Sequence, residues 1–213
     1  MEKAKYQGVL GINIGKNIDT PVERAVEDYV LCLRAVYAHA DYITVNISSP
    51  NTPGLRTLQY GDELQALISR LKVEQRQLAD QQGKYVPLAV KVAPDLTLAE
   101  IQGMAAIFCE HQIDAVIATN TTLDKSAVQG VRHSDEQGGL SGQPLTQKST
   151  EVIAAFYQHL AEDIPIIGVG GIMTGEDAAA KLAAGAKLVQ LYSGFIYHGP
   201  RLIKDCVRAT SAA

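Results

Sequence analysis

Six short apolar runs, separated by longer amphipathic stretches, restrict the fold of this chain more than any other feature. Each run is rich in Val, Ile and Leu on both faces, as in strands of a parallel sheet that is covered on both sides. The runs cover residues 9–14, 42–47, 86–92, 115–119, 164–169 and 188–192. This alternation predicts right-handed βαβ units around one parallel sheet.

The intervening helices are predicted from capping signals and spacing. A cap and an N1 proline at residues 19–21 start a helix that runs to about residue 38. A capping box at residues 97–100 starts one that runs to about residue 111. Gly185 can end the helix that begins at residues 174–177. The other helices are predicted for residues 61–82, for residues 146–162 and after Pro200.

Length and composition indicate one soluble globular domain, residues 1–213, with 46% apolar and 20% charged residues. A net charge of −4 argues against a general binder of nucleic acid or anionic membranes. No apolar run approaches the ~20 residues of a transmembrane helix. The 3 cysteines are widely spaced, which fits reduced thiols in the cytosol, and the 5 scattered histidines predict no metal site.

Two architectures are possible for such a sheet, namely an open doubly wound sheet and a closed (β/α)₈ barrel. Six strands are two short of a barrel, which usually needs about 250 residues. However, every strand carries polar residues or glycines at or near its C-terminal end, where barrel enzymes assemble an active site from several strands. An open sheet offers a single switch-point crevice. We therefore predict an α/β fold of the TIM-barrel family, with this chain supplying the last six βα units.

The polar residues at the strand ends are the candidate site. The segment NISSPNTPG (residues 46–54) follows a buried strand, and TNTT (residues 119–122) ends another. Polar groups buried without partners cost a few kcal/mol each, so such a cluster normally meets a ligand. The alternative is a turn whose Ser and Asn side chains bond their own backbone.

Lys91 stands between Val90 and Val92 in the third predicted strand. A buried ammonium needs an anionic partner, so this lysine is predicted to face the barrel mouth and hold negative charge on a cofactor or substrate. The alternative is a lysine that extends to solvent from an edge strand.

Glycine turns end the last two strands, as GVGG (residues 168–171) and as Ser193-Gly194. The loops after strands seven and eight are the usual phosphate site of the barrel, because bare backbone N–H groups let a phosphate approach. A phosphate-bearing cofactor is therefore predicted, although glycines can also serve packing alone. The loop of residues 138–142 either closes over that cofactor or is a plain surface loop.

Seven motifs, in this order, resemble those of dihydroorotate dehydrogenase, in the class 2, quinone-reducing form of bacterial type. They are GINIGKN (11–17), NISSPNTPGLR (46–56), VKVAPD (90–95), ATNTT (118–122), GLSG (139–142), IGVGGI (167–172) and QLYSG (190–194). Ser49 stands where class 2 enzymes carry a serine base and class 1 enzymes a cysteine. The resemblance covers essentially the whole chain.

The resemblance implies FMN as the cofactor and dihydroorotate as the substrate. The implied FMN contacts are Asn13, Asn46, Lys91, Thr119, Gly142, Gly170, Gly171, Tyr192 and Ser193. The implied substrate contacts are Asn46, Asn51, Asn120 and Thr121. Ser49 would take a proton from C5 of dihydroorotate while a hydride leaves C6 for the flavin, and would pass the proton on through water or Thr52. A membrane quinone would then reoxidise the flavin, within pyrimidine biosynthesis.

This sequence lacks two parts of the family pattern, the N-terminal helices that contact the membrane and the first two barrel strands. We expect the full-length enzyme at the cytoplasmic side of the inner membrane. This chain alone is expected in the cytoplasm, either in solution or aggregated. Because open sheet edges aggregate, we expect it to be poorly soluble or oligomeric, and to lack turnover.

Two other functions remain open. Other FMN barrels include dihydropyrimidine dehydrogenase, which favours a cysteine at the Ser49 position, and tRNA-dihydrouridine synthase, which needs a basic surface. A truncated, non-catalytic fragment that keeps only phosphate-binding or flavin-binding elements is the third interpretation.

Overall fold

A computed structural model describes residues 7–211, and its strands form one six-stranded parallel sheet in the order β1-β2-β3-β4-β5-β6. The strands are β1 Gly11–Ile14, β2 Tyr42–Asn46, β3 Leu88–Val92, β4 Ala115–Ala118, β5 Ile166–Val169 and β6 Ala186–Gln190. Doubly wound sheets reverse their strand order at a switch point, whereas a barrel wall runs in chain order. The sequential order therefore confirms the predicted α/β class and favours the barrel family.

Seven α-helices of the described chain connect or follow these strands. They are α1 Ala25–Val36, α2 Gly61–Gln82, α3 Leu98–Glu110, α4 Thr146–His159, α5 Gly175–Ala183, α6 Ser193–His198 and α7 Pro200–Thr210. The capping box at Thr97 is present, with the Thr97 hydroxyl and the Glu100 side chain each accepting the other's backbone N–H. Among residues 7–211, no helix has the length and apolar character needed to cross a membrane.

Several predicted boundaries were wrong. Among the strands, β1, β3 and β5 each begin two residues later than predicted. The first helix begins as a 3₁₀ turn, Val22–Arg24, without a side-chain cap. α4 ends at His159, because Leu160 adopts an extended conformation. The sixth strand starts two residues early, at Ala186, because Gly185 ends α5 immediately before it. Tyr192 has left that strand, since the short helix α6, which was not predicted, begins at the next residue.

The sheet has two faces with different packing. Its outer face packs against the helices in the main core, where Phe108 and Phe156 stack with ring centroids 6.3 Å apart. A smaller apolar cluster, built around Ala89, Ile117 and Val169, lies on the inner face. Because side chains alternate along a strand, Lys91 shares that inner face with Ala89. The fold thus directs this lysine to the inside of the curved sheet.

Burial on both faces, which was predicted for all six strands, holds for the central ones only. In β1, Gly11 and Asn13 are exposed, and in β6 Leu188 is 62% exposed. Both strands lie at the ends of the sheet and are paired on one side among the described residues. An end strand has fewer neighbours to cover its side chains, which explains the difference.

Candidate active site

A cavity of about 380 Å³ lies at the C-terminal ends of the strands. It is lined by every predicted site residue except Asn13 and Asn46. Those lining residues are Ser49, Asn51, Lys91, Thr119, Asn120, Thr121, Gly142, Gly170, Gly171, Tyr192 and Ser193. Five strand ends and one loop therefore contribute to a single pocket, as expected for the rim of a barrel.

Asn13 and Asn46 do not line the cavity. Asn13 is exposed on the end strand β1. The Asn46 Oδ1 accepts from the backbone N–H of Ser48 at 3.3 Å and from the Asn120 amide at 3.2 Å. Asn46 is thus linked to the pocket through Asn120, whereas Asn13 has no such link.

Partly buried hydrogen bonds hold the ends of β2, β3 and β4 together. The Ser48 hydroxyl donates to the backbone carbonyl of Lys91 at 2.7 Å and accepts from the Asn120 amide at 3.1 Å. The Asn120 Oδ1 accepts from the backbone N–H of Thr121 at 2.8 Å. Ser48 is fully buried and was not singled out from the sequence, because it lies beside the more conspicuous Ser49. This network fixes the backbone on which Ser49 and Lys91 stand.

The ammonium of Lys91 has no hydrogen-bond or ion-pair partner in the described part of the chain. Burial lowers the pKa of this lysine, since desolvation disfavours its charged form. A partly buried cation that faces a cavity without a counter-charge is costly in an empty protein. It indicates a ligand with negative charge or strong acceptors.

The glycine turn after β5 packs tightly on the first turn of α4. The Thr146 hydroxyl donates to the carbonyl of Gly171 at 2.6 Å, and the Ser149 hydroxyl donates to the carbonyl of Gly170 at 2.9 Å. Gly171 has φ +72°, and a Cβ there would overlap Thr146. The backbone N–H groups of Gly171 and Ile172 donate to no other described residue. Two free amides therefore border the pocket.

The loop of residues 138–142 covers the opposite side of the pocket. A Cβ on Gly139 would overlap the Thr121 side chain, so the loop lies directly on the strand-end residues. The Ser141 hydroxyl accepts from the Ser193 hydroxyl at 2.8 Å, which joins the loop to the start of α6. Of the two interpretations of this loop, the geometry favours the one in which it closes the site.

A charged cluster that the sequence analysis missed lies directly beneath the site. Arg56 donates to the carboxylate of Asp95 at 2.8 Å and to the carbonyls of Ser48 at 3.2 Å and Thr121 at 2.9 Å. Lys148 donates to the other Asp95 oxygen at 2.6 Å. Burial opposes the ionisation of Asp95, but hydrogen bonds from Lys148, Thr122, Leu123 and Arg56 outweigh it and lower its pKa to about 2. Arg56 and Asp95 lay within quoted motifs, yet nothing in the sequence paired them.

Ser49 has no built-in base in the structure. Its hydroxyl accepts from the backbone N–H of Asn51 at 3.3 Å, and no His, Asp or Glu of residues 7–211 bonds it. A hydroxyl in this position can act only where a solvent path carries its proton away. Ser49 lines the pocket and is partly exposed, so solvent can reach its hydroxyl.

Comparison with known proteins identifies the family. The dihydroorotate dehydrogenase family model matches residues 1–211. A dihydroorotate dehydrogenase (quinone) of Burkholderia cenocepacia (strain J2315) is 58% identical over 98% of this chain and 61% of its own length. One from Photobacterium profundum is 59% identical over 97% of this chain and 62% of its own length.

A solved structure agrees with these matches. The ligand-free DHODH of Eimeria tenella superposes with a TM-score of 0.88 at 38% identity, over 99% of this chain and 61% of that one. The chain thus spans about three fifths of the length of the relatives that it matches. It belongs to the dihydroorotate dehydrogenase family, and the curated relatives described above are of the quinone form.

Proposed function

We propose that this chain carries the flavin and substrate site of an enzyme that oxidises dihydroorotate to orotate in pyrimidine biosynthesis, with a quinone as the electron acceptor. The family membership supports the reaction. The observation that carries the proposal is the unpartnered Lys91 ammonium, which faces the same cavity as the free amides after β5.

FMN suits these two features because it combines a phosphate with a ring that gains negative charge on reduction. The amides around Gly170, Gly171, Tyr192 and Ser193 would hold the phosphate, with Gly142 near the ribityl chain. Lys91 would contact the pyrimidine edge of the ring, where a fixed cation stabilises the reduced form. Thr119 would border the ring, Asn46 would act through Asn120, and Asn13 would join only if β1 moved inward.

The amide and hydroxyl side chains across the cavity suit the substrate. Asn51, Asn120 and Thr121 offer donors and acceptors that match a carboxylate and two ring amides. Asn46 would orient Asn120 through the bond between their side chains. Binding through several fixed amides would hold the reacting carbon atoms in one orientation.

Ser49 would remove the C5 proton of the substrate. Because no carboxylate or imidazole of residues 7–211 bonds it, it would pass the proton to water or to the nearby Thr52 hydroxyl. When bound, FMN would supply the acceptor for the hydride from C6. A quinone acceptor implies that the complete enzyme contacts the membrane, at its cytoplasmic side. We also propose that residues 1–213 form one structural unit.

The test is to purify the chain with added FMN, remove free flavin and record the visible absorbance before and after adding dihydroorotate. Retained flavin that is bleached once by dihydroorotate is the expected result; the turnover that is not expected of this chain alone is repeated cycling with a quinone, which this measurement does not include. Ser49→Ala should keep the flavin but slow bleaching by about 10²-fold or more, whereas Ser126→Ala, outside the cavity, should match the original chain. Absence of flavin would refute the cofactor site. Retained flavin without bleaching would support the non-catalytic interpretation instead.

A further inference from the structure

A fully buried lysine lies beneath the glycine turn, and no step described above uses it. Lys181, on α5, has 0% of its surface exposed. Its ammonium donates to the Thr146 carbonyl at 3.0 Å, the Ser149 hydroxyl at 2.6 Å and the Thr150 hydroxyl at 2.7 Å. It forms no ion pair with a carboxylate of the described chain. The core therefore holds a cation whose partners are all neutral.

The surroundings of Lys181 contain little else that titrates. Burial lowers its pKa to about 8, and Asp177, on the same helix, is the charge that acts on it in the opposite direction. The Asp177 carboxylate is engaged by the backbone N–H groups of Met173 and Thr174, both at 2.9 Å. The groups that face Lys181 from α4 are hydroxyls and a carbonyl.

The hydrogen bonds of Lys181 lead directly to the turn. An ammonium can only donate, so the Ser149 hydroxyl accepts from Lys181 and is free to donate its own proton to the carbonyl of Gly170. Thr146 likewise accepts from Lys181 through its carbonyl and donates through its hydroxyl to the carbonyl of Gly171. Both glycine carbonyls are thus held toward α4.

This orientation decides where the amides point. In a planar trans peptide the C=O and N–H groups point in opposite directions. With the carbonyls of Gly170 and Gly171 turned toward α4, the N–H groups of Gly171 and Ile172 point away from it. Both residues line the cavity, and neither N–H has a partner among the described residues.

We propose that Lys181 is a positioning residue for phosphate, which orients the two amides through Ser149 and Thr146 and places an uncompensated positive charge behind them. The site then prefers a phosphate ester to a neutral hydroxyl. The inference rests on the proposed function, because it concerns the phosphate end of the same flavin site.

The test compares FMN with riboflavin, which has the same ring but no phosphate. Binding of each to the full chain is followed by flavin fluorescence. Lys181→Met should weaken FMN binding about tenfold, or about 1.4 kcal/mol, and leave riboflavin binding unchanged. Lys187→Met, on the exposed face of β6, is the matched control and should change neither.

A pH series separates charge from mere packing. Between pH 7.5 and 9.5 the preference of the original chain for FMN over riboflavin should fall as Lys181 loses its proton, since the phosphate itself, with a second pKa of about 6, stays doubly ionised. Ser149→Ala should weaken FMN binding yet keep this decline, because the cation remains. Lys181→Met should abolish the decline.

Three outcomes would contradict the inference. The first is an equal loss of FMN and riboflavin binding in Lys181→Met, which would indicate a packing role. The second is a preference for FMN that does not change with pH in the original chain, a result that holds even if the lysine variant fails to fold. The third is a chain that binds riboflavin and FMN equally at pH 7.5. If the original chain binds no flavin at all, the proposed function fails first and the inference with it.

Discussion

Among single residues, Lys91 shows the conflict between stability and function most directly. Its ammonium is partly buried, has no partner in the described chain and has a lowered pKa because of burial. We expect Lys91→Met to raise the unfolding free energy of the ligand-free chain by about 1 kcal/mol, since an uncompensated charge leaves the interior. The same change should weaken FMN binding about tenfold or more.

Urea denaturation and flavin titration measure the two effects of Lys91→Met. Lys187→Met provides the control, because Lys187 is a strand lysine that is already exposed. A variant that is less stable and binds FMN normally would show that Lys91 serves packing and not the ligand.

Sequence patterns find a functional side chain when its surroundings are local. Lys91 could be predicted to face the cavity because Val90 and Val92 flank it in a strand. Lys181 could not be predicted, because a lysine on an alanine-rich helix looks like a solvated one, and its hydroxyl partners come from α4. Asn13 shows the converse, since its motif suggested the pocket but its end strand leaves it exposed.

Where elements meet, the β5 turn packs directly on the backbone of the first turn of α4. Gly171 and Gly83 both have positive φ, at +72° and +63°, but a Cβ would overlap Thr146 at the first and meet nothing within 4 Å at the second. We expect Gly83→Ala to lower the unfolding free energy by about 1 kcal/mol and Gly171→Ala by about 3 kcal/mol or more. Thermal or urea denaturation of the two variants measures the difference. Equal losses of unfolding free energy in the two variants would mean that α4 shifts easily to make room, and that α4 does not fix the turn.

Asp95 joins three loops and should make the unfolding free energy of the chain depend on pH. Its carboxylate, with a pKa of about 2 against the ordinary 3.8, contributes stability that is complete above pH 4 and is lost as the pH falls through about 2. We expect Asp95→Asn to lower the unfolding free energy by about 2 kcal/mol at pH 7, because Arg56 and Lys148 lose their shared partner.

Urea titrations at pH 7 and pH 2.5 test this expectation. The difference in unfolding free energy between Asp95→Asn and the original chain should be smaller at the lower pH. Asp80→Asn, an exposed carboxylate on α2, should show no gap at either pH. If the difference in unfolding free energy were the same at both pH values, the lost stability would come from the shape of the amide and not from the missing charge.

Element boundaries followed the sequence at some local signals, but not at residues 19–21, where the predicted cap is absent. The capping box at Thr97 and the helix start at residues 174–177 have the structure that was predicted. α6 was not predicted, because its N-terminus has no side-chain cap that the sequence could indicate. The ion pair between Arg56 and Asp95 was missed because its partners are separated by 39 residues in the sequence.

For the molecule as a whole, the strand order and the position of the cavity follow from one rule. Parallel strands joined by right-handed crossovers bring all their C-terminal ends to one rim. The sequence therefore predicted the rim at which the cavity lies, although it contained no information on which side chains pair across that rim. Long-range pairing needs the curvature of the sheet, which six separate strand signals do not encode.

The two ends of the sheet should make the chain self-associate. β1 and β6 each have an unpaired edge within residues 7–211, and Val9 and Leu188 are exposed by 72% and 62%. Unpaired apolar edges pair readily with other strands. We expect sedimentation velocity to show larger species as the concentration rises from roughly 1 to 100 µM.

Leu188→Lys should shift the chain toward monomer, because a charge on the last strand disfavours pairing. Leu98→Lys, which changes a leucine of similar exposure at the start of α3, should not shift the chain toward monomer. A chain that stays monomeric throughout would show that these edges are protected in solution and would remove the physical reason to expect poor solubility.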